Sequence, residues 1–546
     1  MQRDLTALAD TPFDLVVVGA GIYGALAAWH ASLQGLRVAL IDRGDFGGAT
    51  SFNSLKTLHG GLRSLQALNL SQMRLFIRER RAMARMAPHL LDRLPFCVPT
   101  YRHPTRNALA LRVALAVTDA VGHDRNDGIV DEALVLPGGR VVSARECREL
   151  NPLIDGTDVT GGAIWYDYQM RQAERLVIGA VRSAADAGAA VANHVAAMAL
   201  TATAGRVSGL DVRDEGTGTP FHIRSRAVLN AAGPWAGALA RQLTGGRAQV
   251  PAPRLSRAMN LVVPRVTRTH ACGGVVDGRY LFVVPWREVS VVGTSHDPHD
   301  GDADAPHGTR AQAAVLLRDA QRAFPQAGLT EDQIRLVHRG LLPMASSSPR
   351  SVALLKDSAV VDHTGDGHAG LVSIFSVRYT TARATALAAV RAVCGHLGHA
   401  GQASTAQEDV SARMSIAAFE TVAQLVAGAR QRDMRGTMPD TRERLARSYG
   451  SAWTEVAQLM SLDPTLGAPL SDASVVTAAE VLYAVRDECA VSLTDALLRR
   501  TGAGAAGHPG AAAVTTAASV MASALRWSPA HTAAEIEIFD AIYPRA

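Results

Sequence analysis

The sequence predicts an α/β fold with a Rossmann-like N-terminal domain and an all-helical C-terminal domain. Three observations carry this. A strand, a glycine turn, a helix and a second strand follow one another over residues 13–42. Another strand–turn–helix stands at residues 227–235. After residue 410 the chain is alanine-rich, with helical periodicity and no strand pattern.

Length and composition leave room for this. A chain of 546 residues, 48% hydrophobic and 19% charged, can bury more than one core. The net charge of +5 comes from scattered arginines. It is a weak pull toward anionic small molecules or anionic lipid, and not the clustered basic face of a nucleic-acid binder. The five cysteines (Cys97, Cys147, Cys272, Cys394, Cys489) are far apart, with no CxxC pair. They fit a reducing compartment and give no metal or disulfide framework. The first residues, MQRDLTALADTPFD, have no signal-peptide core, and no run approaches the roughly 18 apolar residues of a spanning helix. The expected location is the cytoplasm, or peripheral attachment to the inner face of a membrane.

Asp14–Val18 is a short valine-rich run, as expected of a buried parallel strand. Gly19, Gly21 and Gly24 form GxGxxG: a tight turn, backbone access for a pyrophosphate, and close helix–strand packing. The helix from Ile22 to Gln34, with Tyr23 in its first turn, aims its N-terminal N–H groups at the phosphates. Gly35 ends it, Arg37–Ile41 is the second strand, and Asp42 with Arg43 follows about 20 residues on from the motif, where an acid reaches a ribose. This is a dinucleotide site. The next stretch, DFGGATSFNSLKTLHGGLR, supplies small polar residues (Ala49, Thr50, Ser51, Ser54) suited to a ribityl chain and flavin ring, so FAD is favoured over a nicotinamide cofactor. Ala227–Asn230, the turn Ala231-Ala232-Gly233-Pro234 and a helix from Trp235 return the chain to the cofactor.

Taken together, FDLVVVGAGIYG, GATSFNSLKTLHGGLR, LNAAGPWA, LVVPR, YLFVVPWREVSVVGTSHD, FSVRYTTAR and the tail segments LARSYGSAWTEVAQL and AVRDECAVSLTDALLRRTGAG resemble the aerobic, FAD-dependent glycerol-3-phosphate dehydrogenases. The resemblance implies a D-amino-acid-oxidase-like arrangement. An FAD-binding domain (about 13–100, 160–240 and 335–397) interleaves with a mixed-sheet substrate domain (about 101–159 and 241–334). A small-residue linker (398–409) then leads to a helical domain (410–546). It also implies flavin contact by Lys56, His59, Gly60, Gly61, Tyr379, Thr380 and Thr381, an anionic substrate on Arg63, and quinone or oxygen as electron acceptor. A membrane surface or an oligomer are further partners it raises.

The substrate end departs from the family pattern. The tyrosine after the arginine is Ser64, the histidine before VVP is Asn260, the arginine of GxRP is Leu342, the lysine of GGKLTTY is Arg378, and a further arginine is Lys356. Losing one arginine from a phosphate clamp removes charge-assisted bonds of roughly 1.5–3 kcal/mol each. The sequence therefore leaves open glycerol 3-phosphate in a rebuilt clamp, or a related anionic secondary alcohol. Arg63, Arg339 and Arg378 are the expected anion ligands, and His338, Tyr379 or His59 the expected base. Two rivals stand beside this: an amine or amino-acid oxidase, and a flavin-binding protein without catalysis. RHPTRNALALRVALAVTDAVGHDR, with Arg102, Arg106 and Arg112, is an apolar helix for a membrane surface or for ordinary packing. YDYQMRQAERLVIGAVRSAADAGAAV is expected as a helix then a strand in the substrate half. HDPHDGDADAPHG, His296–Gly308, is expected as loop without metal-ligand spacing.

Overall fold

Leu15–Val18 is buried at all four positions, as a strand covered on both faces must be. In the computed structural model it lies inside a six-stranded sheet ordered Ala359–Asp362, Leu371–Phe375, Val228–Asn230, Leu15–Val18, Val38–Ile41, Ala190–Ala192. The structure describes all residues except 63–68, 248–252, 306–307, 349–350, 376, 399–413, 417–418, 420, 435–436 and 545–546. Arg63, Ser64 and residues 399–409 of the expected linker lie outside the described residues.

The central strands run parallel, with Val16 opposite Val228 and Leu15 opposite Val38. One face is covered by the helices Ile22–Leu33, Ala173–Asp186 and Ala382–Leu397, which share a core in which Ala27, Ala31, Ala180 and Ala184 are fully buried. Such small side chains let helices approach closely. The other face, through Val16, Val18, Ala39 and Ile41, packs on Val207, Leu210 and Val212 of a three-stranded sheet. Helix Ala173–Asp186 and strand Ala190–Ala192 therefore belong to the nucleotide half. Of the two placements expected for this stretch, the fold agrees with the cofactor part (about 160–240) and corrects the substrate-half one, since Ala190–Ala192 pairs in parallel with Val38–Ile41. Residues 166–170, expected in the helix, end the strand Gly161–Met170 instead.

The second sheet is mixed and has ten strands. It runs from Ser351–Leu354 through Leu336–Ser348, Leu255–Pro264, Val289–His299, Arg279–Trp286, Ala271–Val276, Leu91–Thr100 and Gly161–Met170 to Thr57–Leu58, with Arg140–Ser143 also on Gly161–Met170. It thus takes strands from stretches expected in the cofactor half, and the two halves interleave more finely than the sequence boundaries. Val289–His299 is strand through His296, where a loop was expected, because its backbone pairs with Leu255–Pro264.

The tail is helical, including Pro439–Tyr449, Trp453–Leu462, Ala478–Asp487, Ala511–Leu525 and Pro529–Asp540. It is docked by apolar packing of Leu493, Leu497 and Val514 with Trp286, Val289 and Val291 of the large sheet. Buried ion pairs join it too: Arg175 holds Glu488 at 2.7 Å. Among the described residues no helix is long and apolar enough to cross a membrane.

Candidate active site

The glycine turn opens onto a cavity of about 2130 Å³ that continues to the face of the large sheet. A small-molecule pocket is ordinarily several-fold smaller, so the space suits a dinucleotide together with a second ligand. Gly19, Gly21, Ile22 and Tyr23 line one end. A Cβ at Gly24 would collide with the Gly19 carbonyl oxygen, which is why the helix can sit so close to the strand. Asp42 organises the turn. Its Oδ2 accepts from the Ala20 N–H at 2.7 Å and its Oδ1 from the Gly44 N–H at 2.9 Å. Burial pushes this carboxyl upward, against those two backbone donors. Ser51 Oγ accepts the Ile22 N–H at 3.0 Å at the helix N-terminus.

Arg43 and Trp235 form the rim. The guanidinium lies 4.6 Å from the Trp235 ring centroid and pairs with Asp304, which also accepts from Trp235 Nε1 at 2.8 Å. Ala232 and Gly233 line the same end. Farther in, Thr50, Ser51, Ser54, His59 and Gly61 form one wall and Arg378, Tyr379 and Thr380 another. Thr50 Oγ1 donates to the Leu341 carbonyl at 3.1 Å, tying this loop to the large sheet. Tyr23 binds the other wall: its hydroxyl donates to the Arg378 carbonyl at 2.6 Å and accepts the Arg378 N–H at 3.2 Å. The His59 N–H donates to Thr380 Oγ1 at 3.3 Å, and Thr381 Oγ1 donates to the Arg378 carbonyl at 3.4 Å, behind the wall.

Several expected residues stand elsewhere. Lys56 is fully buried beneath the loop, 3.8 Å from Glu174 and 4.3 Å from the Phe52 ring centroid. Burial lowers its ammonium to about 8, with Glu174 opposing. Gly60 is kept small by Arg80, whose guanidinium lies where a Cβ would be, and its N–H donates to Asp167 Oδ1 at 2.6 Å. Neither lines the cavity. His338 is also off the wall: it is completely buried against Phe52 and Trp286, and burial together with Lys56 holds its imidazole well below the ordinary value. A group enclosed there cannot reach a substrate hydroxyl. Arg339 points the other way from its strand and is exposed outside the cavity. Tyr379 lines the cavity, but its hydroxyl donates to the Ala173 carbonyl at 3.2 Å and burial raises its pKa.

The end of the cavity away from the glycine turn is built by strands. Asn260 Oδ1 accepts from Thr294 Oγ1 at 2.6 Å, and Leu342 lines the same cavity. Phe96 stacks on Trp165 at 5.1 Å, with Phe282 edge-on at 5.6 Å. His296 lines the cavity as well. The sequence reading passed over it because its Pro- and Gly-rich neighbours resemble a loop. Its alternation with Thr294 along SVVGTSHD was the available signal.

Residues 14–383 match the family described as FAD dependent oxidoreductase, and residues 401–532 the C-terminal domain of alpha-glycerophosphate oxidase. The chain belongs to the FAD-dependent oxidoreductases. Among curated members, it is 32% identical to glycerol-3-phosphate dehydrogenase 2 of Mycobacterium tuberculosis, over 97% of this chain and 87% of that protein. It is 26% identical to glycerol-3-phosphate dehydrogenase of Synechocystis, over 92% of this chain and 90% of that one. The fold matches the FAD complex of the Bacillus halodurans glycerol-3-phosphate dehydrogenase with a TM-score of 0.73 at 22% identity, over 98% of this chain and 95% of that one. The FAD-bound L-alpha-glycerophosphate oxidase of Mycoplasma pneumoniae matches at 0.53 and 16% identity, over 70% of this chain and 95% of that one. FAD is the cofactor of this family member, and the glycine turn, Asp42 and the small-residue wall fit it.

Proposed function

We propose that the protein oxidises glycerol 3-phosphate, or a related anionic secondary alcohol, with FAD as hydride acceptor. The observation that carries this is the single cavity joining the glycine turn to the sheet wall at Asn260 and Thr294, in a chain similar over nearly its whole length to proteins named glycerol-3-phosphate dehydrogenase. Bound FAD supplies the two-electron chemistry. The protein's own residues supply the rest. Arg378 is the cation of the inner wall, its guanidinium 5.2 Å from the Phe76 ring centroid and donating to the Lys356 carbonyl, and it receives the anionic end of the substrate together with the expected Arg63. Helix Ala382–Leu397 begins just behind Thr380 and Thr381, so its N-terminal dipole favours negative charge on that side of the cavity. Asn260 has no proton-accepting nitrogen, so the base is drawn from the imidazoles that line the cavity among the described residues, His59 and His296.

Helix Ala108–Val121 borders the cavity through Ala110, Leu111 and Ala114. Its Leu109 and Val113 are 68% and 56% exposed, beside the exposed Arg112. This supports peripheral attachment to an anionic membrane surface, with quinone as acceptor. Oxygen is the alternative acceptor.

The test is anaerobic addition of sub-millimolar glycerol 3-phosphate to the yellow holoprotein, followed at the flavin band. Rapid bleaching supports the reading, and Arg378→Ala should then raise the half-saturating concentration roughly 10- to 100-fold, the loss expected of a charge-assisted contact. Persistent yellow colour with this substrate and with a panel of anionic secondary alcohols, while dithionite still bleaches it, sinks the reading. Bleaching by an amine instead would select the amine-oxidase rival.

A further inference from the structure

The segment Asp495–Arg500 is a buried π-helical turn of the C-terminal domain. It lies far along the chain from the glycine turn, yet Arg499 forms part of the FAD cavity wall. Arg499 is only 7% exposed. Its Nε pairs with Asp45 and its Nη2 donates to Asp495 Oδ1 at 2.8 Å, while its Nη1 takes no protein partner among the described residues. A guanidinium held rigidly on two sides, with its remaining edge reachable from the cavity it lines, is placed to receive an anion. Asp45, His194 and Asp495 are close enough together to suggest a cation site. However, Arg499 and Arg500 balance the two carboxylates, so no net negative charge remains to attract a metal ion.

The same network grips the cofactor loop. Arg500 holds both oxygens of Asp45, at 2.6 and 2.7 Å, and its Nε donates to the Glu488 carbonyl at 2.9 Å. Asp45 belongs to the loop from Asp42 to Gly48. That loop is closed by Gly47 N–H to the Ala20 carbonyl and Gly48 N–H to the Asp45 carbonyl, each at 3.0 Å. Gly48 sits against Arg499, with 3.7 Å between its Cβ position and Nε. Three residues on, Ser51 caps the helix N-terminus, where phosphates are favoured.

We propose that the C-terminal helical domain is part of the FAD site: Arg499 presents its open edge to the diphosphate half of the cofactor, and the Asp45–Arg499–Arg500 network holds the Asp42–Gly48 loop in its binding form. This does not depend on which alcohol is oxidised. It makes FAD affinity and the docking of the tail mutually dependent.

The test uses the full chain, stripped of FAD and titrated back with FAD fluorescence quenching as the readout. Arg499→Gln should raise the dissociation constant about 10- to 100-fold, and Arg499→Lys should recover part of it. Arg444→Gln is the control. It breaks an ion pair with Glu480 inside the same domain, away from the cavity, so it should lower the melting temperature while leaving FAD affinity within about twofold. Affinity unchanged in Arg499→Gln overturns the proposal, as does an equal loss in Arg444→Gln. If Arg499→Gln does not fold, hydrogen exchange on the unaltered protein decides: FAD should slow exchange across residues 488–501, and no slowing overturns it.

Discussion

At the scale of single residues, the loop after the glycine turn carries two kinds of polar residue. His59 and Thr50 face the cavity, whereas Lys56 is sealed in a cage of Phe52, Trp286 and Glu174. Arg287 meets Oε1 of Glu174 at 2.6 Å, but the buried Oε2 has no hydrogen bond and faces the Lys56 ammonium at 3.8 Å. The Phe52 carbonyl also accepts from Lys56, so Lys56→Met takes the cation from both. We expect that variant to keep its flavin spectrum while losing about 1–3 kcal/mol of stability, the cost of leaving those buried acceptors unpaired; loss of bound FAD in a folded variant would show instead that Lys56 acts on the cofactor. Gly24→Ala should do the opposite. Its methyl group meets a backbone oxygen that cannot swing aside. The expected cost is about 1–3 kcal/mol or more, with flavin absent from the purified protein. Stoichiometric FAD in Gly24→Ala would refute the close-packing account. Lys, His and Gly were all legible as important in HGGLR and its neighbours. Which of them faces a ligand was not, because that depends on Arg80 and Trp286, brought in from other elements.

At the scale of elements, the helix behind the active-site wall and the tail's π-helical turn are both set by ion pairs across the sequence. Glu79 of Leu70–Met86 receives Arg383 at 2.9 and 3.0 Å. His194, after strand Ala190–Ala192, meets Asp495 at 3.0 Å. Burial pulls His194 down, but the Asp495 hydrogen bond and the charges of Asp495 and Asp45 outweigh it and hold its imidazole above the ordinary value. Folding therefore favours the protonated form. Its stabilisation is complete below about pH 6.5, the unfolded value, and fades as pH rises through the raised native value. His194→Gln should be most destabilising below about pH 6.5 and progressively less so as pH rises through the raised native value, in urea melts; a pH-independent difference would contradict this assignment. For helix Ala108–Val121, replacing Leu109 and Val113 together by Glu should abolish co-sedimentation with anionic vesicles if this face meets lipid. Unchanged co-sedimentation would place the contact elsewhere.

At the scale of the molecule, the glycine turn, the sheet wall and Arg499 of the tail line one cavity, so FAD bound there should stabilise all of them together. At a free concentration 100 times its dissociation constant, a ligand of the native state adds about 2.7 kcal/mol. Calorimetry should show the whole chain, tail included, melting later with FAD. A shift confined to part of the transition would show the tail to be energetically separate. The nucleotide half was legible because its signals are local: a valine strand, glycines at fixed offsets, an acid about 20 residues on. The large sheet was not, since it gathers Thr57–Leu58, Leu91–Thr100, Gly161–Met170 and Leu336–Ser348 from stretches that carry no mark of their partners.

Local pattern thus determined the Rossmann-like turn, the FAD assignment, the helical tail and the family resemblance, because each is written in residues close along the chain. Tertiary structure alone decided that His338 and Lys56 are buried supports, that Arg339 faces outward, that His296 lies on a cavity wall, and that Arg499 of the tail reaches the FAD cavity. The physical reason is the same in each case. The direction of a side chain follows from strand register and from the partner it packs against, and those partners lie up to several hundred residues away: Asp45 and Arg499 are separated by 454 positions.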